Sequence, residues 1–207
     1  MELEATNRLF EGLVIRKRNF LRLLILVGNA LVWFYMTQIQ LESILANFNA
    51  ANEQAITAWL MYYSAIFFSL IFGSAAFTKI RTSRIMIGWI LLGCISTVLP
   101  VLLKFTVFEE ILFSCSFTGF SFGIGLPYVL AYFARSTALE QRGRTAGILL
   151  LLSYSCIIAI IIFIQNIDFT TQSIFFTVWR GSGITFLLFD QLKEKEEPKE
   201  HSLFHLF

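Results

Sequence analysis

Four side chains in the first apolar stretch recur at steps of four, four and three residues: Asn29, Trp33, Thr37 and Gln40. At about 3.6 residues per turn these steps place all four on one face of a helix. Their amide, hydroxyl and indole groups can hydrogen-bond a polar solute, or they can hydrogen-bond a neighbouring helix. The stripe therefore predicts either one wall of a polar pathway or a polar contact between helices.

A second stripe of hydroxyl groups follows the fourth apolar stretch and includes Ser121, Tyr128 and Tyr132. Steps of three and four again select one helical face. The tyrosines favour an aqueous cavity in which they hydrogen-bond a solute. Gly119 and Gly123, by contrast, form a small-xxx-small pair whose simplest role is close helix packing.

Two further residues bear on the helices that carry these stripes. Pro127 has no backbone N–H and therefore predicts a bend in the fourth stretch. Arg180 interrupts the sixth stretch, and a guanidinium in the middle of a bilayer costs about 2.5–3.5 kcal/mol on insertion scales. It is expected to bind an anionic group of a solute, to pair with an acceptor such as Asp168, or to reach outward to the membrane surface.

The elements that position these residues are apolar stretches without a charged residue, each about as long as a bilayer core is thick. Such stretches cross as helices because a helix satisfies its backbone hydrogen bonds internally. Five are bare and a sixth carries Arg180; they are Leu23–Leu41, Ile56–Thr78, Ile85–Leu103, Ile111–Ala134, Thr145–Ile167 and Phe169–Phe189. The sequence predicts an all-α membrane protein with six transmembrane helices.

Lysine and arginine cluster in every second gap between the stretches. The positive-inside rule then places both termini in the cytoplasm, with only Lys104 outside and Arg180 within a span. The predicted organisation is a cytoplasmic segment (1–22), a six-helix bundle (23–191) and a charged cytoplasmic linker or tail (192–207). The tail is expected to be either cut short at Phe207 or anchored at the membrane surface. The residues assigned to the inside are Arg8, Arg16, Lys17, Arg18, Arg22, Lys79, Arg81, Arg84, Arg135, Arg142, Arg144, Lys193, Lys195 and Lys199.

Composition limits the function classes. The 207 residues are 57% hydrophobic and only 14% charged, so no room remains for a soluble catalytic domain, and no enzyme is predicted. The three cysteines lie in apolar stretches, and both histidines lie in the tail, so neither metal nor cofactor is expected. The basic clusters are short and lack interleaved aromatic residues, which argues against nucleic acid as a partner.

Two connections assigned to the inside resemble those of a known family. The segment from Gly73 to Arg84 occupies the place of the G-x-x-x-D-R-x-G-R-R loop of the major facilitator superfamily, with Gly73 and Arg81 fitting and Phe77 and Ile80 replacing the acid and the second glycine. The segments Gly123-Ile124-Gly125-Leu126-Pro127 and Glu140-Gln141-Arg142-Gly143-Arg144 are similar to the family's fourth helix and the start of its fifth. The chain from Arg18 to Leu192 therefore resembles the N-terminal six-helix half of such a transporter.

The resemblance implies secondary active transport of a small solute by alternating access. Such a transporter has no catalytic residue, and it uses a coupling ion where its subgroup requires one. It implies a pathway lined by the two stripes and Arg180, a second six-helix half or second copy, and a multi-pass location in the cell membrane. The inner connections would then gate the pathway, although setting the topology is an equally good role for their charges; the residues are Gly73, Lys79, Arg81, Arg84, Arg135, Glu140, Arg142 and Arg144.

An alternative of a different class stays open. The chain is also consistent with a non-transporting six-helix protein or a degenerate transporter fragment that acts as an assembly partner. The loss of the family's acid at Phe77 favours this alternative, because a conformational latch built on that acid is absent.

Overall fold

The computed structural model describes residues 17–77, 82–165 and 167–185, and all regular structure within them is helical. A π-helical turn (Leu24–Gly28) joins α1 to α2, and a short 3₁₀ turn (Leu139–Gln141) precedes α7. The helices are α1 (Lys17–Leu23), α2 (Asn29–Phe48), α3 (Asn52–Phe77), α4 (Thr82–Leu102), α5 (Phe108–Gly123), α6 (Leu126–Ser136), α7 (Arg142–Ile164) and α8 (Phe169–Ser182).

Five segments are long and apolar enough to cross a membrane, which confirms the prediction of an all-helical chain compatible with multi-pass insertion. We number them as spans: the first Phe20–Phe48, the second Asn52–Ala75, the third Ile85–Leu102, the fourth Phe108–Ser136 and the fifth Leu139–Ile164. Helix α8 has 14 residues, is therefore about 21 Å long, and is not among these five; we number it as the sixth span for reference only. The predicted sixth stretch continues to Phe189, and residues 186–189 lie outside the described part of the chain.

The distribution of side chains is that of a membrane bundle. Large apolar side chains such as Phe72 and Ile158 are 60% or more exposed on the outer surface, whereas the interior holds many polar groups. Gln40, Thr97 and Ser173 are each 2% exposed or less. Lipid tails are as apolar as leucine side chains, so apolar burial does not drive helices together in a membrane. Polar contacts and close packing hold such helices together instead.

The fourth span is not one helix. Helix α5 ends at Gly123 and α6 begins at Leu126, with Pro127 in its first turn. The missing N–H of proline is tolerated there, because the first N–H groups of a helix have no partner within it. The bend predicted from Pro127 is thus a break in the helix.

The contacts between spans form a repeating pattern. The second and third spans both pack on the fourth. In the same way, the fifth and sixth spans both pack on the first. Spans one to three and spans four to six form two triplets. The remaining extensive contacts, between the third and sixth spans and between the first and fourth, join spans that hold the same place in the two triplets. If each span of the first triplet is exchanged with its equivalent in the second, the same pairs of spans are in extensive contact within the described residues.

The closest approach between spans lies where α3 crosses α5. A Cβ at Gly119 would collide with the carbonyl oxygen of Tyr62, and one at Gly123 would collide with Ser69. At the break, Gly73 in turn lies directly against the carbonyl group of Ile124. The small-xxx-small pair is thus used for helix packing.

Replacing Gly119 or Gly123 with alanine is expected to destabilise the protein by about 1–3 kcal/mol, because the backbone of α3 cannot move away without loss of packing. Thermal unfolding in detergent, followed by thiol labelling of buried Cys115, measures the change. The matched control is Gly147→Ala on α7, where a Cβ meets nothing within 4 Å. That control is expected to be neutral or stabilising by up to about 1 kcal/mol, and equal losses in all three variants would contradict the prediction.

Candidate functional site

Arg180 lies inside the bundle, near the end of α8, and only 1% of its surface is exposed. Its guanidinium carbon lies 4.2 Å from the ring centre of Trp33 and 3.9 Å from that of Trp89. A cation placed against an aromatic face is stabilised by the ring's electrons, by about 2 kcal/mol or more when water is excluded. Two tryptophans from different helices, α2 and α4, thus hold one charge from α8.

Gly93 on α4 provides the space for this side chain. A Cβ there would lie 2.6 Å from Arg180 Nε and 3.1 Å from Cζ2 of Trp33. Any other residue at this position would displace the guanidinium or the ring. We refer to Asn29, Trp33, Trp89, Gly93 and Arg180 as the Arg180 cluster.

Asn29 is the hydrogen-bonding partner of Arg180. Its Oδ1 accepts a hydrogen bond from Arg180 Nη1 at 2.9 Å, and its Nδ2 donates to the carbonyl oxygen of Trp179 at 2.7 Å. The amide therefore joins α2 to α8 twice. Asn29, Trp33 and Arg180, which the sequence placed on two distant stretches, come together in one cluster.

No carboxylate within the described residues forms an ion pair with Arg180. Asp168, the acceptor considered from the sequence, lies twelve residues before Arg180 at the opposite end of α8, about 18 Å away along the helix axis. There its carboxylate accepts hydrogen bonds from Thr171 N at 3.0 Å and Thr171 Oγ1 at 2.8 Å and caps the helix. These hydrogen bonds lower the pKa of Asp168 from its usual value, and the proposed pairing with Arg180 is wrong.

A second polar group surrounds Gln40, three turns along α2 from Asn29. Gln40 Nε2 donates to the carbonyl oxygen of Thr97 at 2.9 Å and to Ser173 Oγ at 2.8 Å, so one amide links α2, α4 and α8. Thr37 Oγ1 lies 2.9 Å from Tyr62 Oη on α3. All four residues of the first stripe are buried and face other helices. The polar groups of Thr37 and Gln40 are taken up by contacts between helices.

Trp89 links the Arg180 cluster to the break in the fourth span. Its Nε1 donates to the carbonyl oxygen of Ser121 at 2.8 Å, near the end of α5. Its ring also lies directly on Gly125, in the break itself, where a Cβ would collide with it. A single indole thus caps the broken helix and contacts the guanidinium.

The hydroxyl residues predicted on the fourth span are divided between its two helices. Ser121 is fully buried, and its hydroxyl donates to the carbonyl oxygen of Thr118 at 2.9 Å. Tyr128 is buried in the same apolar cluster as Trp33 and Trp89, and Tyr132 packs against that cluster. The two tyrosines therefore lie beside the Arg180 cluster.

The residues assigned to the inner connections are only partly described. Arg142 donates through Nη2 to the carbonyl oxygen of Ala134 at 2.7 Å and so joins α7 to the end of α6. Arg135, Glu140 and Arg144 are exposed at this end of the bundle. Lys79 and Arg81 lie outside the described residues. Arg84 lies in the first turn of α4.

A cavity of about 300 Å³ adjoins the Arg180 cluster. Asn29 belongs to both, and Trp179 and Ser182, which also line the cavity, are neighbours of Arg180 on α8. Ser153 on α7 and Gly28 of the π-helical turn form the other side. The cavity is therefore large enough for a small molecule, and only Asn29 links it to the guanidinium.

Sequence reasoning missed Trp89 and Gly93, both central to the cluster. They lie in the third stretch, which has no charge and no polar stripe to single them out. The sequence signal that could have identified them is the spacing of this tryptophan and glycine, which are four residues apart and so share one helical face. No protein-family model matches the sequence, and a comparison with curated proteins finds no match.

Proposed function

We propose that this chain forms one half of a secondary transporter that moves a small solute across the membrane by alternating access. The observation that supports the proposal is the repeating contact pattern of the two triplets of spans. If all six spans cross, a helix and its equivalent three spans later run in opposite directions, and the contact pattern is the one expected of an inverted repeat. Inverted three-helix repeats are nested within each six-helix half of major facilitator transporters.

The broken helix adds support. Transporters place their binding sites at interrupted membrane helices, because backbone groups freed from the helix line the cavity there. In this chain the break between α5 and α6 is connected through Trp89 to the charged Arg180. A charge buried beside an interrupted helix is the arrangement expected of a solute site rather than of packing alone.

A transporter half supplies only one wall of a pathway, so we propose that a second copy or a second six-helix half provides the other. In this assembly the solute would bind between the two halves and each half would rock about it. The cell membrane is the proposed location, and the coupling ion belongs to the same proposal.

Uptake into proteoliposomes tests the transport function. A panel of labelled anions, sugars and amino acids is offered under an imposed proton or sodium gradient, at several ratios of protein to lipid. If two copies form one pathway, uptake of one class of solute is expected to rise more steeply than linearly with protein density. No uptake of any solute at any density, by protein that remains folded, would refute transport by this chain alone or as a pair.

The second candidate is a non-transporting assembly partner. It is favoured by Thr37 and Gln40, whose polar groups are already engaged by neighbouring helices and offer nothing further to a solute. Under this alternative the bundle is rigid and its outer surface is the functional part. Solute-independent co-purification with one membrane protein, together with the absence of uptake, would support it over transport.

A further inference from the structure

The Arg180 cluster and the adjoining cavity contain donors that lack acceptors. Arg180 Nε and Nη2, Trp33 Nε1 and Trp179 Nε1 are buried, and none of them has a hydrogen-bonding partner among the described residues. Buried polar groups in proteins are nearly always hydrogen-bonded. Since every unsatisfied atom in this group is an N–H donor, what is missing is an acceptor.

The two free atoms of Arg180 lie on the same edge of the guanidinium. Nη1 is used by Asn29, whereas Nε and Nη2 together form the side-on fork that binds two oxygens of a carboxylate or phosphate at once. The aromatic faces of Trp33 and Trp89 attract the positive charge but do not supply these oxygens. Gly93 lies close to Nε, and a Cβ at this position would be only 2.6 Å from that atom, so a side chain there would obstruct it.

The adjoining cavity gives such a group a place to enter. Asn29 lines it and also accepts from Arg180 Nη1, so the cavity borders a residue that holds the guanidinium. Trp179, whose indole N–H has no acceptor, lines the same cavity.

From these observations we infer that the Arg180 cluster binds an anionic group, a carboxylate or a phosphate, held side-on by Nε and Nη2 of Arg180. The inference rests on the proposed transport function, for which it names an anionic solute as the substrate class. The headgroup of an anionic lipid has the same chemistry and is distinguished by experiment.

Tryptophan fluorescence reports binding directly. Of the four tryptophans, Trp33, Trp89 and Trp179 belong to the cluster or the cavity, and Trp59 stacks on Tyr63 elsewhere on α3. In a Trp59→Phe background, purified protein in nanodiscs of zwitterionic lipid is titrated with inorganic phosphate, succinate and neutral succinamide. We expect a saturable change with phosphate or succinate and none with succinamide.

The Arg180→Gln variant is expected to bind the anion at least about thirtyfold more weakly, because it removes one partner of a buried charge pair. Arg180→Lys keeps the charge but not the fork, and it is expected to bind the anion, though more weakly than the natural protein does. This variant therefore separates a folding defect from loss of the site. The matched control is Lys104→Gln. It removes a charge that lines another cavity, of about 260 Å³. Anion binding that survives Arg180→Gln but not Lys104→Gln would overturn the inference.

Nanodiscs that contain anionic lipid identify the source of the anion. If anionic lipid alone changes the fluorescence in an Arg180-dependent way and soluble anions do not, the group is a lipid headgroup. If neither lipid nor soluble anion produces an Arg180-dependent change, the inference is wrong.

The outcome is separable from that of the proposed function. Arg180-dependent binding without uptake would refute transport and leave the anion site. Uptake of neutral or cationic solutes, together with no Arg180-dependent anion binding, would refute the anion site and leave transport.

Discussion

The Asn29→Asp variant is expected to be more stable than the natural protein and to lose its response to added anions. The two side chains have nearly the same shape, so packing is unchanged. The substitution places a permanent carboxylate 2.9 Å from the guanidinium, where the amide oxygen now lies. It therefore supplies from within the chain, beside Nη1, the negative charge that we expect a ligand to bring to Nε and Nη2.

The size of this effect follows from the cost of a lone buried charge. Removing one partner of a buried ion pair typically costs about 3–5 kcal/mol, and Arg180 is already in that unpaired state. Losing the donation from Asn29 to Trp179 subtracts about 1 kcal/mol. A net gain of about 2–4 kcal/mol remains, and it is measured as a shift of the unfolding transition in detergent.

Gln40→Glu is the matched control, because it makes the same change from amide to acid on the same helix. Gln40 donates to a carbonyl oxygen and a hydroxyl, and no cation lies among its hydrogen-bonding partners. It is therefore expected to be destabilised. Combining Asn29→Asp with Arg180→Gln should remove the gain, since the two residues interact directly. Equal losses in Asn29→Asp and Gln40→Glu would show that Arg180 is not short of a counter-charge.

The helices could be predicted from the sequence because their cause is local. An apolar stretch about 20 residues long has one stable form in lipid, and five of the predicted stretches contain a helix of that kind. The break after Gly123 was predictable only as a bend. Pro127 signals it, but whether a helix bends or stops depends on what satisfies its carbonyl groups, and here that is Trp89 from another span.

The candidate site could be predicted only in part, because it depends on contacts between distant parts of the chain. Asn29 and Arg180 were identified, since a polar or charged group in lipid needs a reason to be there. Their mutual contact spans 151 residues of sequence and follows from packing of the sixth span on the first. Trp89 and Gly93 carry no such signal, because tryptophan and glycine are ordinary in an apolar helix.

Trp89→Ala is expected to cause the largest loss of stability among the single substitutions considered. Truncating a buried aromatic side chain costs about 3–5 kcal/mol. Trp89 is 2% exposed, and its ring touches Gly125, Arg180 and Trp33 at once. Its removal also leaves the carbonyl oxygen of Ser121 without its indole donor, next to the break.

Trp89→Phe separates these contributions. It keeps a ring against Arg180 and Gly125 but removes the indole N–H, so it is expected to cost about 1–3 kcal/mol through the lost hydrogen bond. Trp59→Ala, on the half-buried outer part of α3, is the control and is expected to lose less than Trp89→Ala. Unfolding is followed by labelling of the buried Cys115 thiol, which needs no tryptophan. If Trp89→Phe were as stable as the natural protein, the indole would not cap the broken helix, and the connection from the break to Arg180 would rest on packing alone.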